Sequence, residues 1–315
     1  MNPRRERLRA AFRVGWSQFR HNRLAVIGLI VIAVYGLAAV VYPFLIGRVL
    51  PSGIYDPVTG FDPDVIHPAP PGGAHPLGTD ALGRDVVSQL LAATLPTWVL
   101  AVVAALSTAV VATIVGAVGA LFRGWIDAAI ARVSDAFLLL PAPIFMLVIG
   151  TAGRSQQIGP IAFGLIYGFV TGVGAGAIVI RAQALRVIAS PFIDAARVAG
   201  AGRWRILTRH VLPHLYPLAA LYMMLSVVGA IVADGFASWL GQTGTRTNWG
   251  TMVYNGITFP NPITGLPVWN AIVPPAIALS LFAAAFYLVS VGLREVADPR
   301  YRSARRRTVE PSRVA

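Results

Sequence analysis

Residues 95–122 read LPTWVLAVVAALSTAVVATIVGAVGALF, a run of 28 positions without a single charged side chain. About 20 mostly apolar residues in a helix are enough to cross the roughly 30 Å hydrocarbon core of a bilayer. The run shows no alternation of apolar and polar residues, which argues against a strand of a membrane barrel, whereas a helix satisfies its own backbone in lipid. The stretch therefore predicts an all-α integral membrane protein.

Five further stretches have the same apolar character and sufficient length, so the sequence predicts six transmembrane helices. Pro141 and Pro143 fall inside the third stretch and predict a kink or a loosened turn there. In chain order, the predicted spans are about 24–46, 95–122, 130–150, 158–180, 215–233 and 271–293.

The composition excludes a water-soluble enzyme. Hydrophobic residues make up 56% of the 315 positions and charged residues only 12%, about half the charged share of a soluble domain. All 26 basic residues are arginines that punctuate apolar runs, so we expect no nucleic-acid partner despite a net charge of +13. Without lysine there is no phosphate-gripping P-loop, and without cysteine there is no thiolate metal site. We therefore expect neither a catalytic site nor a metal site in this chain.

The placement of the arginines predicts the orientation in the membrane. If the N-terminus is cytoplasmic, 22 of the 26 arginines lie in cytoplasmic segments, as the positive-inside rule requires. Both termini are then cytoplasmic. The predicted organisation is a basic N-terminal segment (1–23), a first transmembrane helix (24–46), an extracytoplasmic loop (47–94), a core transmembrane domain (95–293) with a cytoplasmic loop at 181–214, and a basic cytoplasmic tail (294–315).

The cytoplasmic loop contains a predicted short helix. Ser190 is a suitable N-cap, Pro191 fits the first helical position, and Asp194 lies near the positive end of the helix dipole. Gly200 and Gly202 are predicted to end this helix. The segment therefore predicts a compact helix closed by a glycine turn.

A second short helix is predicted from Arg203 to about Val211, where Pro213 would stop it. The two helices would form an elbow. An ordinary amphipathic loop on the lipid surface explains the arginines but not the Ala195-Ala196 pair, because small residues of this kind let another protein approach a helix closely.

The residues of this elbow resemble the EAA loop of ABC-importer permeases, with aspartate where glutamate is usual. The resemblance implies a type I ABC-importer permease fold, in which the loop is the coupling helix that seats in a groove of an ATPase subunit. The coupling residues that it implies here are Asp194, Ala195, Ala196, Gly200, Arg205, Leu212 and Pro213.

Two other segments are similar to the C-type permease of oligopeptide and dipeptide importers. They are HPLGTD with GRDV at 75–86, and GLRE with DPR at 292–300; the loop after the fifth predicted helix follows the family more loosely, through SWLG at 238–241 and Trp249-Gly250.

That resemblance implies a permease subunit of an ATP-driven importer in a prokaryotic inner membrane, with di- or oligopeptides as the expected substrates. The implied partners are a second homologous permease in a heterodimer, two ATPase subunits and an extracytoplasmic solute-binding protein. ATP and Mg are expected on the ATPase subunits, and no cofactor on this chain. An ion-coupled secondary transporter is the alternative; it predicts paired ionisable residues at mid-membrane and inverted repeats, which the sequence does not display.

Two interpretations stay open for each of three features: the outer segment around Asp80, the residue Asp234, and the glycines spaced by four. Thr79 or Asp80 can cap a helix starting near Ala81, and Asp80 can pair with Arg84, or the outer segment can be a docking surface for a partner that delivers substrate. Asp234 is either an interfacial residue at a helix end or a residue of the gate or path. The glycines spaced by four either pack against helices of this chain or line a subunit interface along the path. The outer set is Gly78, Asp80, Arg84, Asp85 and Asp234, and the glycine set is Gly164, Gly168, Gly172 and Gly176.

Overall fold

The computed structural model describes residues 16–17, 19–46, 48–152, 158–239 and 247–297. These residues form helices, turns and three isolated bridges, and no β-strand lies among them. The predicted all-α class is confirmed. Outside the described residues lie most of the basic N-terminal segment, the motif at 298–300 and the rest of the basic tail. Residues 240–246 of the loop after α8 lie outside them too.

Ten helices organise the described part of the chain. Five of them are long and apolar enough to cross a membrane, and the bent pair α4–α5 makes up to a sixth span. They are α1 (Arg23–Leu45), α2 (Ser52–Tyr55), α3 (Val86–Leu121), α4 (Trp125–Leu139), α5 (Ala142–Ala152), α6 (Pro160–Ile188), α7 (Pro191–Val198), α8 (203–239), α9 (Trp249–Thr258) and α10 (Trp269–Ala297).

Helix α6 packs against α3 through the glycine stripe that the sequence singles out. A Cβ added to Gly164 would lie 2.9 Å from the carbonyl oxygen of Leu100, and one added to Gly168 would lie 2.8 Å from that of Ala104. Farther along, a Cβ on Gly176 would meet the Cβ of Ala112 at 2.7 Å. The glycines therefore allow backbone-to-backbone contact within this chain, which is the packing interpretation of the stripe.

The glycine contacts also show that α3 and α6 run parallel. Residue numbers increase together along both helices, from the contact at Gly164 to the close approach between Gly116 and Ala177. The chain leaves α3 at Leu121 and meets it again where Gly164 of α6 lies against Leu100, about 30 Å back along α3 at 1.5 Å per residue. The segment between them must cross the bundle, so α4 and α5 form one broken span with a bend of 81° at residues 140–141. The kink expected from Pro141 and Pro143 is thus confirmed.

Helices α1 and α10 form an antiparallel pair on another side of α3. A Cβ on Gly28 would lie 2.6 Å from the carbonyl oxygen of Ala285. The hydroxyl of Tyr35 donates a hydrogen bond to the carbonyl oxygen of Ala278 at 3.0 Å. These contacts attach the first helix to the bundle by close backbone approach and one polar contact.

The interior has a separate apolar cluster at each end of the bundle. At one end, the last turns of α3 and α6, helix α7 and the first turns of α8 share a cluster that includes Ile180, Ile193 and Leu215; we call this the elbow core. At the other end, α3, α8, α9 and α10 share a cluster that includes Trp249 and Phe282; we call this the cap core. The loop at 48–85 lies at the cap end, where it meets the start of α10.

Replacing Gly168 with alanine should lower the free energy of unfolding by about 1–3 kcal/mol, because the new methyl group would overlap the Ala104 carbonyl oxygen and the Ser107 side chain. Gly159→Ala is the matched control, since Gly159 caps the same helix and has no other atom within 4 Å of a built Cβ. Denaturation of the purified chain in detergent measures the difference. Equal midpoints for the two variants would contradict the packing described above.

Candidate functional site

The short helix α7 begins as the sequence predicts, but without the expected side-chain cap. Ser190 occupies the N-cap position and Pro191 the first helical position. The hydroxyl of Ser190 donates to the carbonyl oxygen of Val187 at the end of α6, so it accepts no hydrogen bond from the first turn of α7. Ser190 therefore joins the two helices rather than capping the second.

Gly200 ends α7 in the geometry that favours glycine. Its φ is +79°, in the left-handed region where other residues pay a steric cost. Its N–H donates to the Arg197 carbonyl oxygen at 2.9 Å, and the N–H of Ala201 donates to that of Ala196 at 3.0 Å. These two bonds form a Schellman motif, which satisfies the last carbonyls of the helix. The predicted glycine turn is confirmed, and Gly202 becomes the N-cap of α8.

Pro213 does not stop a second short helix, which corrects the prediction. The segment from Arg203 continues through a π-helical turn at Leu207–Val211 into one helix that ends at Trp239. In the π-helical turn, the N–H of Leu212 donates to the Leu207 carbonyl oxygen, five residues back. This wider turn comes directly before Pro213, which has no N–H to donate, so the helix absorbs the proline instead of ending.

Helix α7 has one face fixed to the bundle and one face open. Ile193 is fully buried in the elbow core, and the ring of Phe192 stacks on His214 of α8 with ring centroids 5.6 Å apart. On the open face, Asp194 pairs with Arg197 at 2.8 Å, with half or more of each side chain exposed. Ala195 is exposed as well. Such an anchored helix can transmit a push applied to its open face.

The structure brings the predicted coupling residues together at one end of the bundle. Asp194, Ala195 and Gly200 are exposed, as are Arg205 and Pro213, whereas Ala196 and Leu212 are partly buried. The elbow also presents two large apolar side chains that the sequence analysis did not single out. Val198 is 91% exposed and Trp204 is 64% exposed.

The loop at the cap end is built around buried charges. The two ring nitrogens of His75 lie 2.9 Å from Oδ1 of Asp85 and 3.2 Å from Oδ2 of Asp62. The second oxygen of Asp85 accepts the N–H of Ser88 at 2.7 Å and so caps α3. Backbone donation from Asp64, together with the hydrogen bond to His75, holds the pKa of Asp62 below its usual range.

Asp80 pairs with Arg84 as predicted, but it caps no helix at Ala81. The carboxylate lies 2.8 Å from Nε and 2.6 Å from Nη2 of the arginine, and Gln89 donates to it at 3.1 Å. Gly83, with φ +83°, breaks the segment, and α3 begins only at Val86 behind its true cap, Asp85. Helix α3 starts nine residues before the predicted start at 95. The hydrogen bond from Ser88 to Asp85 fixes this start, and the hydropathy of the sequence does not mark it.

Gly78, Asp80 and Asp85 are buried, and the Arg84 side chain is 15% exposed. These residues therefore support the fold of the loop, and a docking surface here would have to use its exposed neighbours.

Asn270, which the sequence analysis missed, donates to the carbonyl oxygens of Leu77 and Thr79 and so fixes the loop to α10. These two contacts measure 3.2 and 2.9 Å. The only sequence signal for Asn270 is its place as a polar residue at the edge of an apolar run.

Asp234 is buried near the end of α8, where it receives a hydrogen bond from the Asn248 side chain at 3.1 Å. The same side-chain amide nitrogen donates to the hydroxyl of Ser238 at 2.8 Å. The side-chain oxygen of Asn248 accepts the N–H of Thr251 and so caps α9. Asp234 thus joins α8 to the start of α9. Its role as a gate or path residue stays a prediction. Leu240 and Gly241 of the predicted outer motif lie outside the described residues.

Within the described residues, no three histidine or carboxylate side chains are grouped so that they could hold a metal ion. His214 contacts the carbonyl oxygen of His210, one turn earlier.

Comparison with known proteins gives matches over most of the chain. Residues 109–303 match the family described as the binding-protein-dependent transport system inner membrane component, and residues 11–71 match the N-terminal transmembrane domain of oligopeptide transport permease C. A putative peptide transport system permease protein of Brucella suis is 33% identical over 285 residues, 87% of each chain. The dipeptide transport system permease protein of Bacillus subtilis is 29% identical over 91% of this chain and 85% of its own. An oligopeptide transport system permease protein of Mycobacterium bovis is 32% identical over 75% of this chain and 80% of its own.

Replacing Asp62 with asparagine should loosen the loop at 48–85, because the charge that faces His75 would be lost. Folding lowers the pKa of Asp62, so its stabilising contribution is complete above the ordinary carboxyl range near about pH 4 and is lost as the pH falls through the lowered value. We expect faster proteolytic cleavage of the loop in the variant at pH 7, and a difference from the unmodified chain that narrows below about pH 4.

Asp64→Asn is the control for this comparison, since Asp64 is an exposed carboxylate in the same loop. A loop that is equally resistant in both variants at pH 7 would show that the contact with His75 contributes nothing.

Proposed function

Since the chain belongs to the family of binding-protein-dependent transport system inner membrane components, and within it to the oligopeptide permease C type, we propose that it is one of two permease subunits of an ATP-driven importer of di- or oligopeptides. The family membership confirms the resemblance found in the motifs. It favours an importer over the ion-coupled secondary transporter that the sequence left open.

The observation that carries the coupling role is the two-sided helix α7. Ile193 and Phe192 fix it to α6 and α8, and the opposite face carries Asp194 and Ala195. A partner that pushes on this face acts on the elbow core directly. We assign the partner as an ATPase subunit that holds ATP and Mg, while this chain binds no cofactor.

The exposed side chains of the elbow support docking of a protein rather than contact with water alone. Val198 and Trp204 present apolar surface on the elbow, which also carries the exposed Asp194–Arg197 ion pair. Protein interfaces combine a buried apolar centre with a polar rim. The Schellman turn at Gly200 holds these two apolar residues on either side of the bend.

Helix α8 provides the connection from the elbow to the other end of the bundle. It is continuous from Arg203 to Trp239, about 55 Å at 1.5 Å per residue, and it carries Leu215 in the elbow core and Val227 in the cap core. A displacement of α7 therefore moves one element that reaches both cores. Alternating access follows when this motion opens one end of the bundle and closes the other.

The remaining parts of the proposal follow from the family and the charge pattern. The relatives named above transport peptides or dipeptides, which supports peptides as the substrate class. The excess of arginines at the elbow end supports cytoplasmic termini and a cytoplasmic elbow, so the loop at 48–85 faces outward. A second homologous permease would complete the path, and an extracytoplasmic solute-binding protein would deliver the substrate.

Replacing Gly200 with valine should reduce ATP-dependent uptake about tenfold or more, because a β-branched residue at φ +79° distorts the elbow at a cost of roughly 1–2 kcal/mol. Gly202→Val is the matched control, since Gly202 is equally open to solvent but has φ −67°. Uptake into cells is measured at equal membrane levels of both variants. Normal uptake with Gly200→Val would refute the role of the turn.

A cysteine at Ala195 should crosslink to the ATPase subunit of the importer with a short bifunctional thiol reagent, because this position is exposed on the open face of α7. A cysteine at Ala184, buried in the elbow core, is the control. The chain has no native cysteine, so each product reports a single site. Equal yields at both positions, or no product with any ATPase of the organism, would contradict the proposed docking face.

A further inference from the structure

The broken span α4–α5 is held by two different parts of the bundle. In α5, Met146 is fully buried in a cluster with Leu100 of α3 and Tyr167 of α6. In α4, the described residues include a single buried side chain, that of Ser134. Each half thus has one buried side chain among its described residues, but the halves pack on different elements: α5 joins an apolar cluster with α3, α6 and α8, whereas the end of α4 lies against Gly174 of α6, where a built Cβ would be 3.3 Å from the Leu138 nitrogen.

A bidentate ion pair attaches the other end of α4 to α6. Asp127 in the first turn of α4 faces Arg181 of α6, with Nε 2.5 Å from Oδ1 and Nη2 2.6 Å from Oδ2. The side chains are 20% and 29% exposed. A two-pronged contact of this kind fixes orientation as well as distance. Gly119 of α3 lies beside the pair, where a built Cβ would be 3.4 Å from Cδ of Arg181 and 3.5 Å from Oδ1 of Asp127.

Arg181 moves with the elbow because of its neighbours on α6. Ile180 and Ala184 on either side of it are buried in the elbow core, together with Ile193 of α7. No break separates Arg181 from Ile188 at the end of α6. Through the ion pair, a displacement of α7 is thus passed to α4 as well as to α8.

We propose that Asp127 and Arg181 are positioning residues of the transport reaction, and that their ion pair makes α4 follow the elbow while α5 stays with the rest of the bundle. Motion then concentrates at residues 140–141, where the span is already bent by 81° and where Pro141 has no N–H to donate. The proposal rests on the coupling role of the elbow given above. Two other charged residues lie near the pair, Arg123 and Asp135, and both are exposed.

The first test uses the complete importer in liposomes, with peptide uptake and ATP hydrolysis measured together. Asp127→Asn should lower uptake about tenfold, within the range of coupling between linked sites, while ATP hydrolysis and co-purification of the subunits persist. Asp135→Asn, an exposed carboxylate on the same helix, should change neither. Exchanging the charges in Asp127→Arg with Arg181→Asp should restore uptake, which a general loss of packing would not permit.

A second test replaces the ion pair with a covalent bond between the same two helices. A Cβ on Gly174 would lie 3.4 Å from the Cβ of Phe137, close to the spacing of about 3.8 Å found in disulfides. In the Asp127→Asn background, cysteines at these two positions should restore uptake when oxidised and lose it again when reduced. The cysteine-free chain makes the bond unambiguous.

The outcomes are separable. Uptake that stays within about twofold in Asp127→Asn overturns the inference, as does a failure of both the charge exchange and the disulfide to restore uptake. If Asp127→Asn does not assemble, the charge exchange alone decides, since it must assemble and transport. If the unmodified assembly takes up peptide without ATP, the proposed function fails instead, whatever the variants do.

Discussion

The close, parallel contact between α3 and α6 is the constraint on which the rest of the architecture depends. Glycines at every fourth position remove the side chains that would separate the two backbones, so α6 lies against α3 from Gly164 to the approach at Gly116. Because both helices point the same way, the chain between them has to cross the bundle. The broken span, the position of Arg181 and the exit of the chain into the elbow all follow from that geometry.

The coupling role proposed for the elbow depends on rigid and open features that meet within about 20 residues. The Schellman turn at Gly200 closes α7, and the N-cap at Gly202 begins a helix that continues through Pro213 to Trp239. No flexible linker separates the proposed docking face from the membrane helices. In the proposed mechanism, a force applied to α7 is passed to α8 by direct connection and to α4 through the pair of Asp127 and Arg181.

Buried charges organise the cap end in a different way. Asp62, His75 and Asp85 are nearly inaccessible to solvent, and a buried charge is tolerated only when a partner compensates it. The three side chains hold a loop with little regular structure against the start of α3, and Asn270 attaches it to α10. Polar contacts therefore attach the loop to the starts of both helices.

The sequence by itself determined the features that depend on residues close together in the chain. Apolar runs predicted the membrane spans, the spacing around Gly200 predicted the turn, and the interval of four predicted the pair of Asp80 and Arg84. Hydropathy could not place the start of α3, because the hydrogen bond from Ser88 to Asp85 fixes it, and local rules made Pro213 a stop, although a π-helical turn absorbs it. Only the tertiary structure decided which helix packs on the glycine stripe. It alone also paired Asp127 with Arg181 and His75 with Asp62. Their members lie 13 to 64 positions apart, beyond the reach of any local periodicity, and only the packed bundle brings them into contact.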